Sequence, residues 1–171
     1  MEIKILLAYA TTHGATEEIA EAVAGTLREH GLAVDVQLAK NVRSLEGYSA
    51  VVLGAPMYMF KLHRDAKRFL ARHQAAFGGG LPLAVFSGGP FGDSPENVWQ
   101  EVRGHLDKEL ARFPSIQPVA IEIVGGRFDP NRLRFPYNLI PAMKNQPVSD
   151  LRDWEKIRAW AAGLAERFRA A

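Results

Sequence analysis

The sequence predicts an α/β fold, a doubly wound sheet of five parallel strands with helices on both faces. Short apolar segments alternate along the chain with longer segments whose apolar residues recur at helical spacing, as strands and amphipathic helices do in repeated βαβ units. Most of the short segments are apolar on both sides, which indicates strands covered on both faces. Because 171 residues with 47% hydrophobic content suffice for one core, residues 1–171 are predicted to form a single domain.

The first strand and helix are predicted within residues 3–31. Ile3 to Tyr9 is a short and uniformly apolar segment, so it is predicted to be the central strand. From Ala15 onward the apolar residues repeat at helical spacing, and Gly31 stands where a helix commonly ends. The turn between this strand and this helix contains hydroxyl side chains and a glycine.

The rest of the chain continues the same alternation. Further strands are predicted at 33–38, 49–54, 81–86 and 116–124. Further helices are predicted from 63 to 77, from a cap at Ser94 to Leu110, and from Ser149 or Asp150 to near the C-terminus. The strand at 33–38 alternates apolar and polar residues, which is typical of a half-buried edge strand.

Composition and motifs argue against several classes of function. The absence of cysteine excludes disulfides, thiolate-bound clusters and thiol catalysis. No metal-ligand spacing, P-loop, dinucleotide-binding or serine-hydrolase motif is present, so neither a metal site nor a catalytic side chain is predicted. The third strand ends in Gly54-Ala55-Pro56 rather than in the aspartate of a receiver domain. The net charge of +2 predicts no nucleic-acid partner, and without a leader or a spanning apolar run the protein is expected to be cytoplasmic.

Three loops are expected to meet at the carboxyl edge of the sheet, where open doubly wound folds bind ligands. They follow the first, third and fourth strands, at 11–16, 55–62 and 87–93. Backbone N–H groups at the start of the helix after the first loop favour a negative charge, and threonine hydroxyls can add hydrogen bonds, so this loop is predicted to bind a phosphate. Its residues are Thr11, Thr12, His13, Gly14, Ala15 and Thr16. Simple capping of the helix by Thr11 or Thr16 is the alternative.

The second and third loops are predicted to hold a flat ring. Their candidate contact residues are Pro56, Met57, Tyr58, Met59 and Phe60 in the second loop, and Ser87, Gly88, Gly89, Phe91, Gly92 and Asp93 in the third. Aromatic and methionine side chains beside an anion site suit a phosphorylated ring better than a bare phosphate. Tyr58 and Phe91 are the candidates for direct ring contacts. Ordinary packing is the alternative for both, and the methionines could equally fill gaps in the core.

The first loop also carries a specific resemblance to a known family. Thr11-Thr12-His13-Gly14-Ala15-Thr16-Glu17 resembles the phosphate loop of the flavodoxins, usually written Ser/Thr-x-Thr-Gly-x-Thr. The resemblance covers most of the chain, because the second and third loops stand where that family holds the isoalloxazine ring. Gly126-Arg127-Phe128-Asp129 is also similar to a motif that follows its fifth strand. The resemblance implies FMN as the cofactor and the flavodoxin-like strand order 2-1-3-4-5.

Within this superfamily, the layout and the closing Arg152-Asp153-Trp154 helix are more similar to the flavodoxin-domain proteins that include quinone-dependent protoporphyrinogen dehydrogenases. The resemblance implies FMN-dependent electron transfer or an oxidoreductase, and more narrowly a quinone-linked or porphyrinogen-type dehydrogenase, with the chemistry at flavin N5. Two positions depart from the family pattern, because His13 stands where threonine is frequent and Ala15 where asparagine is common. A flavin-free protein-interaction module on the same fold stays open as the alternative.

Two further regions bear on partners. The segment after the second loop carries many basic residues opposed only by Asp65, namely Lys61, Arg64, Lys67, Arg68 and Arg72 with His63 and His73. This face is predicted to steer a redox partner or anionic substrate, and an ordinary solvated surface is the alternative.

Residues 127–148 form a long connection in which apolar and basic residues interleave. They are predicted to form a lid, a quinone or membrane contact, or a dimer surface, with a flap over the core as the alternative. A membrane contact would make the protein peripheral to the membrane.

Overall fold

The computed structural model describes residues 2–89, 96–128, 130–132, 135, 137–145, 149–150 and 152–171. The strands are β1 (Lys4–Tyr9), β2 (Ala33–Leu38), β3 (Ala50–Ala55), β4 (Met57–Tyr58), β5 (Lys61–Leu62), β6 (Leu83–Gly88), β7 (Ala120–Val124), β8 (Arg127–Phe128) and β9 (Ser149–Asp150). The helices are α1 (Ala15–Glu29), α2 (Arg64–Gly78), α3 (Glu96–Leu110), α4 (Pro141–Lys144) and α5 (Trp154–Ala170).

Within the described residues, five strands form one parallel sheet in the order β2-β1-β3-β6-β7. This order confirms the predicted doubly wound, flavodoxin-like sheet, with β2 at an edge. The first strand was predicted to be central, but β1 lies second from that edge and β3 occupies the middle position. Both strands have buried residues on both sides, so the apolar pattern that indicated an interior strand does not distinguish between them.

Both faces of the sheet are covered because successive residues of a strand point to opposite sides. Ile5 and Leu7 of β1 belong to the core cluster that includes residues of α1 and α5. Leu6 and Ala8 belong to the second cluster, which includes residues of α2 and α3. All four side chains are completely buried, which explains why apolar residues occupy both sides of this strand.

The helix boundaries agree with the sequence patterns except at the last helix. α1 begins at Ala15 as predicted, and α2 begins directly after His63, whereas the predicted cap at Ser94 lies outside the described residues. The last helix was predicted to start at Ser149 or Asp150, but it starts at Trp154, after Asp153 as the N-cap. The prediction was wrong because residues 149–150 pair with 127–128 as the antiparallel strands β8 and β9.

The connection at 127–148 contains short elements and is not one irregular loop. The β8–β9 pair closes it at its base, and two turns of 3₁₀ helix lie at Pro130–Arg132 and Tyr137–Leu139. The helix α4 follows at Pro141. Proline suits the first position of such helical turns because its φ is already fixed near the helical value.

The register of the sheet brings the three predicted loops to one edge. Tyr9 at the end of β1 pairs with Gly54, and Ala55 at the end of β3 pairs with Ser87 of β6. The Ala10 N–H donates a hydrogen bond to the Gly54 carbonyl at 2.9 Å, which extends this alignment into the first loop. The loops after β1, β3 and β6 therefore begin side by side.

In the part of the chain that the structure describes, no helix combines the length and the apolar character needed to cross a membrane. The same residues include no group of three or more histidine or acidic side chains arranged to hold a metal ion.

Candidate functional site

The first loop leaves the start of α1 open to a ligand. Gly14 is the N-cap residue, with a left-handed φ of 86°, and it has no side chain to cap the helix. The Gly14 N–H donates to Thr11 Oγ1 at 2.9 Å, so Thr11 stabilises the loop before the helix. Thr16 is buried in the first turn of α1. Backbone donors at the positive end of the helix dipole favour an oxyanion. That this loop binds a phosphate stays a prediction.

His63 connects the first loop to the start of α2. Its Nδ1 accepts a hydrogen bond from the backbone N–H of Asp65 at 3.1 Å and so caps α2. Its Nε2 lies 3.0 Å from Oγ1 of Thr12. Because Nδ1 accepts from an N–H, the neutral ring carries its proton on Nε2 and Thr12 Oγ1 is the acceptor. The hydroxyl proton of Thr12 is thereby left to donate to a different group.

The charge state of His63 is consistent with this arrangement. Burial, the largest influence, lowers the pKa of His63. The Asp65 carboxylate, whose Oδ2 is 3.9 Å from Nδ1, opposes this effect, while Arg64 and Lys40 add to it. The hydrogen bond that Nδ1 accepts requires a neutral imidazole, which is therefore the favoured form near neutral pH.

The second loop folds into a hairpin with a two-residue turn, which the sequence did not predict. Met57 pairs with Leu62 and Tyr58 with Lys61, so Met59 and the adjacent Phe60 form the turn. Their φ values are 52° and 64°, the signs required by a type I′ turn, which normally favours Asn-Gly. These side chains are 81% and 55% exposed. Large apolar side chains in a strained, exposed turn favour a role in contacting a ligand or partner.

Tyr58 faces the first loop. Its ring meets the His13 ring edge-on at a centroid distance of 5.7 Å and lies 6.2 Å from the His63 ring. On another side of the hairpin, the Phe60 ring lies 4.4 Å from the ring of His105 in α3. The structure thus brings the first and second loops together. That Tyr58 contacts a bound ring stays a prediction.

The third loop begins at the end of β6, where its backbone lies close to β7. Ser87 is fully buried at the end of β6, and the partly exposed Gly88 and Gly89 follow it. A Cβ on Gly89 would lie 2.8 Å from Cγ2 of Ile123 and 2.9 Å from the Val124 carbonyl oxygen, so only glycine fits there without displacement. Three other predicted contacts, Phe91, Gly92 and Asp93, lie outside the described residues.

A cavity of about 400 Å³ opens between the first loop, the hairpin and the connection at 127–148. Its lining residues are Thr12, Tyr58, Lys61, Leu62, His63, Arg64 and Phe135. Phe135 belongs to the late connection, and 77% of this residue is exposed. The cavity combines aromatic rings with two cationic side chains, which suits a flat molecule that carries negative charge.

The exposed large apolar residues of the described chain belong to two segments. They are Met59, Phe60, Phe135, Leu139 and Ile140, all in the hairpin turn or the late connection. Apolar side chains exposed together commonly belong to interaction surfaces. The predicted choice between a lid, a partner surface and a flap over the core stays open.

Glu109 of α3 is a buried carboxylate that the sequence analysis missed. It is 5% exposed, and its Oε2 accepts a hydrogen bond from the Leu62 N–H at 3.1 Å and lies 3.6 Å from Lys67 Nζ. Its other oxygen lies 3.7 Å from Nε of Arg112. Asp65 is therefore not alone in opposing the predicted basic segment, because Lys67 is paired with Glu109. Arg64 remains exposed beside the cavity.

A second charge network attaches the base of the late connection to α1. Glu18 pairs with Arg127 at 3.2 Å and with Arg152, and Arg152 also pairs with Asp150 at 2.8 Å. Hydrogen bonding to Arg152 is the main influence that lowers the pKa of both Glu18 and Asp150. The network lies one turn into α1, so it positions β8 and β9 close to the first loop.

Known proteins are similar to this chain in sequence or in fold. Residues 6–142 match the family described as Flavodoxin domain. Protoporphyrinogen IX dehydrogenase (quinone) from Escherichia coli strain K12 is 25% identical over 174 residues, which cover 95% of each chain. A flavodoxin from the domain Archaea has a TM-score of 0.61 at 16% identity, covering 98% of this chain and 99% of its own. Oxidised flavodoxin 2 from Bacillus cereus has a TM-score of 0.59 at 20% identity, covering 98% of both chains. The two structures share the fold with this chain.

Proposed function

The chain belongs to the flavodoxin-domain family, and we therefore propose that it binds FMN and transfers electrons through it, as a carrier or as an oxidoreductase. The observation that carries the proposal is the open start of α1 beside Thr12, whose hydroxyl proton is free because His63 supplies the other hydrogen bond. Both features suit the phosphate of FMN.

The departures at His13 and Ala15 are compatible with this ligand. Backbone N–H groups supply much of a phosphate site at a helix N-terminus, and their positions do not depend on the side chain at position 15. The conformation of Gly14, with φ of 86°, keeps the chain close to the helix start without a Cβ in the way. His13 packs against Tyr58 and so belongs to the wall between the first two loops.

Bound FMN supplies electron and hydride transfer at its ring, and the proposed task of the protein is to hold and shield that ring. Tyr58 and the hairpin turn would cover one side of it. The third loop would approach from β6, where the absence of a Cβ at Gly89 keeps the backbone against β7. No acidic or basic side chain of the chain is required for proton transfer in this proposal.

We also propose a narrower activity, that of a quinone-linked or porphyrinogen-type dehydrogenase. The relative from Escherichia coli is named as a quinone-dependent protoporphyrinogen IX dehydrogenase, and it matches almost the full length of this chain. The cavity of about 400 Å³ adds two features suited to such partners. Lys61 and Arg64 offer positive charge to carboxylates, and Phe135 offers an apolar surface to a ring.

The test of FMN binding is a fluorescence titration of the apoprotein with FMN and, separately, with riboflavin, which lacks the phosphate. We expect stoichiometric quenching of FMN fluorescence and a markedly weaker affinity for riboflavin. Thr12→Val should reduce the preference for FMN by about tenfold, because one charge-assisted hydrogen bond is lost. Absence of quenching by the folded protein would contradict the proposal and favour the flavin-free interaction module.

The narrower activity is tested on the FMN-loaded protein with a panel of quinones and a carboxylated porphyrinogen. Neutralising Lys61 and Arg64 together should slow the reduction of the bound FMN by the anionic substrate. The rate of this reduction should also depend less on salt concentration. Arg158→Gln, which removes a charge from the exposed face of α5, serves as the control. Equal rates for the double variant, the control and the parent at low ionic strength would exclude this role for the two cations.

A further inference from the structure

A second, smaller cavity lies in the groove between α2 and the 3₁₀ turn at Ala39–Asn41. Its volume is about 120 Å³, and its lining residues are Ala39, Lys40, Asp65, Arg68, Phe69, Arg72 and His73. It shares no lining residue with the cavity beside the first loop. Its residues come from the basic face of α2 and from the segment after β2, and the proposed FMN site uses none of them.

Three of the lining side chains are cations that have no carboxylate partner among the described residues, namely Lys40, Arg68 and Arg72. Arg72 donates one hydrogen bond, to the Val42 carbonyl at 3.4 Å. Asp65 is the acidic lining residue, and its oxygens lie 3.8 Å from Arg64 Nε and 3.9 Å from His63 Nδ1. Three positive side chains line one groove that contains a single carboxylate, that of Asp65, so an additional anion between them is favourable.

His73 provides an independent observation. It is only 9% exposed, and its ring packs against Phe69 at a centroid distance of 4.9 Å. Its Nε2 is buried and has no hydrogen-bond partner in the described part of the chain. A buried polar atom without a partner is unfavourable, and one common reason for it is a ligand that supplies the partner.

The surroundings of His73 favour the neutral form of its ring. Burial is the main influence that lowers the pKa of His73, and the charge of Arg72 adds to it, while the Val42 carbonyl acts in the opposite direction. Lys40 from the 3₁₀ turn and Arg68 from α2 also line the groove with positive charge. Asp65 is the acidic residue of the lining, and the negative charge of a bound anion would favour a proton on the ring.

We propose that this groove binds one oxyanion of phosphate size, held by Lys40, Arg68 and Arg72, with Nε2 of His73 donating a hydrogen bond after the ring takes up a proton. The volume of about 120 Å³ accommodates a phosphoryl group and not a whole nucleotide. The ligand is therefore inorganic phosphate or the terminal phosphoryl group of a larger metabolite whose remainder lies in solvent. The site is independent of FMN.

The test follows the His73 ring resonances by NMR while inorganic phosphate is added at constant ionic strength. We expect a saturable shift at His73 with uptake of a proton, so binding should tighten as the pH falls toward the ordinary pKa of histidine. His30, whose Nδ1 lies 2.9 Å from the Thr26 carbonyl oxygen, is the internal reference. Because the readout is at His73, phosphate bound at the start of α1 does not interfere. No shift at His73, or the same shift with chloride, would overturn the proposal.

Variants test whether phosphate binds at the residues that line the groove. Arg68→Gln and Arg72→Gln should each weaken phosphate binding about tenfold, and Asp65→Asn should strengthen it because a repelling charge is removed. Arg158→Gln on α5 makes the same change in net charge away from the groove and should leave the affinity unchanged. His73→Phe keeps the contact with Phe69. Urea unfolding first verifies that this variant is folded, and calorimetry then measures its binding of inorganic phosphate.

Loss of binding in the folded His73→Phe variant is the expected result. Full affinity in this variant, or in both arginine variants, would contradict the assignment. Ribose 5-phosphate distinguishes the two sources of the ligand: tighter binding than inorganic phosphate indicates a phosphorylated metabolite, and equal or weaker binding indicates free phosphate. If neither binds, the proposed site does not exist.

Discussion

Replacing Met59 with asparagine and Phe60 with glycine should make the protein more stable. The φ values of 52° and 64° place both residues in the left-handed region, which costs a non-glycine residue about 1–2 kcal/mol. Asparagine and glycine are the residues that a type I′ turn favours, so the double variant should recover most of this cost. It also loses the contact between Phe60 and the His105 ring, at 4.4 Å, and an aromatic pair contributes about 0.5–1.5 kcal/mol.

The net effect should be a gain of about 1 kcal/mol in the free energy of unfolding, which raises Tm by about 2–4 °C for a domain of this size. Urea unfolding of the apoprotein, followed by circular dichroism, measures it. Met59→Asn alone isolates the backbone effect, because 81% of Met59 is exposed. Leu139→Asn is the control, since Leu139 is 64% exposed; it should change stability by less than about 0.5 kcal/mol. A loss of stability in Met59→Asn would refute the argument from backbone strain.

The same double variant should bind FMN less tightly than the parent protein, because the two apolar side chains are proposed to contact the ring. Stability and affinity would then change in opposite directions, a result that partial unfolding cannot produce. Unchanged affinity for FMN would remove the hairpin turn from the proposed cofactor site.

Three other predictions concern the contacts around the site. His63→Asn keeps an acceptor for the Asp65 N–H but cannot reach Thr12, so it should retain stability and lose about tenfold in preference for FMN over riboflavin; retained preference would exclude the His63–Thr12 bond from phosphate binding. Glu109→Gln should lower the free energy of unfolding by about 1–3 kcal/mol, measured in urea, because Lys67 loses its partner and a buried network is broken; no loss would make this network dispensable. The pKa values of Glu18 and Asp150 are lower in the folded protein than in the unfolded chain. The two carboxylates therefore stabilise the fold fully at a pH above their pKa values in the unfolded chain, and this stabilisation is lost as the pH falls through their pKa values in the folded protein. Acid titration of Arg152→Gln should therefore give a weaker loss of stability below about pH 5 than in the parent protein; identical curves would contradict the assignment.

The five strands of the sheet, and the edge at which the three loops begin, could be predicted from the sequence because their signals are local. Apolar residues on both sides of β1 and β3 identify strands buried on both faces, and parallel connections then force the following loops to one edge of the sheet. Gly14 stands out because a glycine at the junction between a strand and a helix permits the left-handed conformation that the structure contains.

The parts that could not be predicted depend on contacts between distant residues or break a local rule. The turn at Met59 and Phe60 lacks the Asn-Gly pair by which such hairpins are recognised. Glu109 binds the Leu62 N–H across 47 positions, and Arg152 reaches Glu18 across 134. Helical periodicity treats Glu109 as an ordinary polar residue, because nothing in the neighbouring sequence indicates that it is buried.

The central claim is that the start of α1 binds the phosphate of FMN. Its most direct test is heteronuclear NMR of the backbone amides of Gly14, Ala15 and Thr16 during titration with FMN and with riboflavin. We expect these amides to shift strongly with FMN and much less with riboflavin, while amides near Tyr58 respond to both ligands because both carry the ring. Equal shifts of the three amides with the two ligands, or none with FMN, would contradict the account.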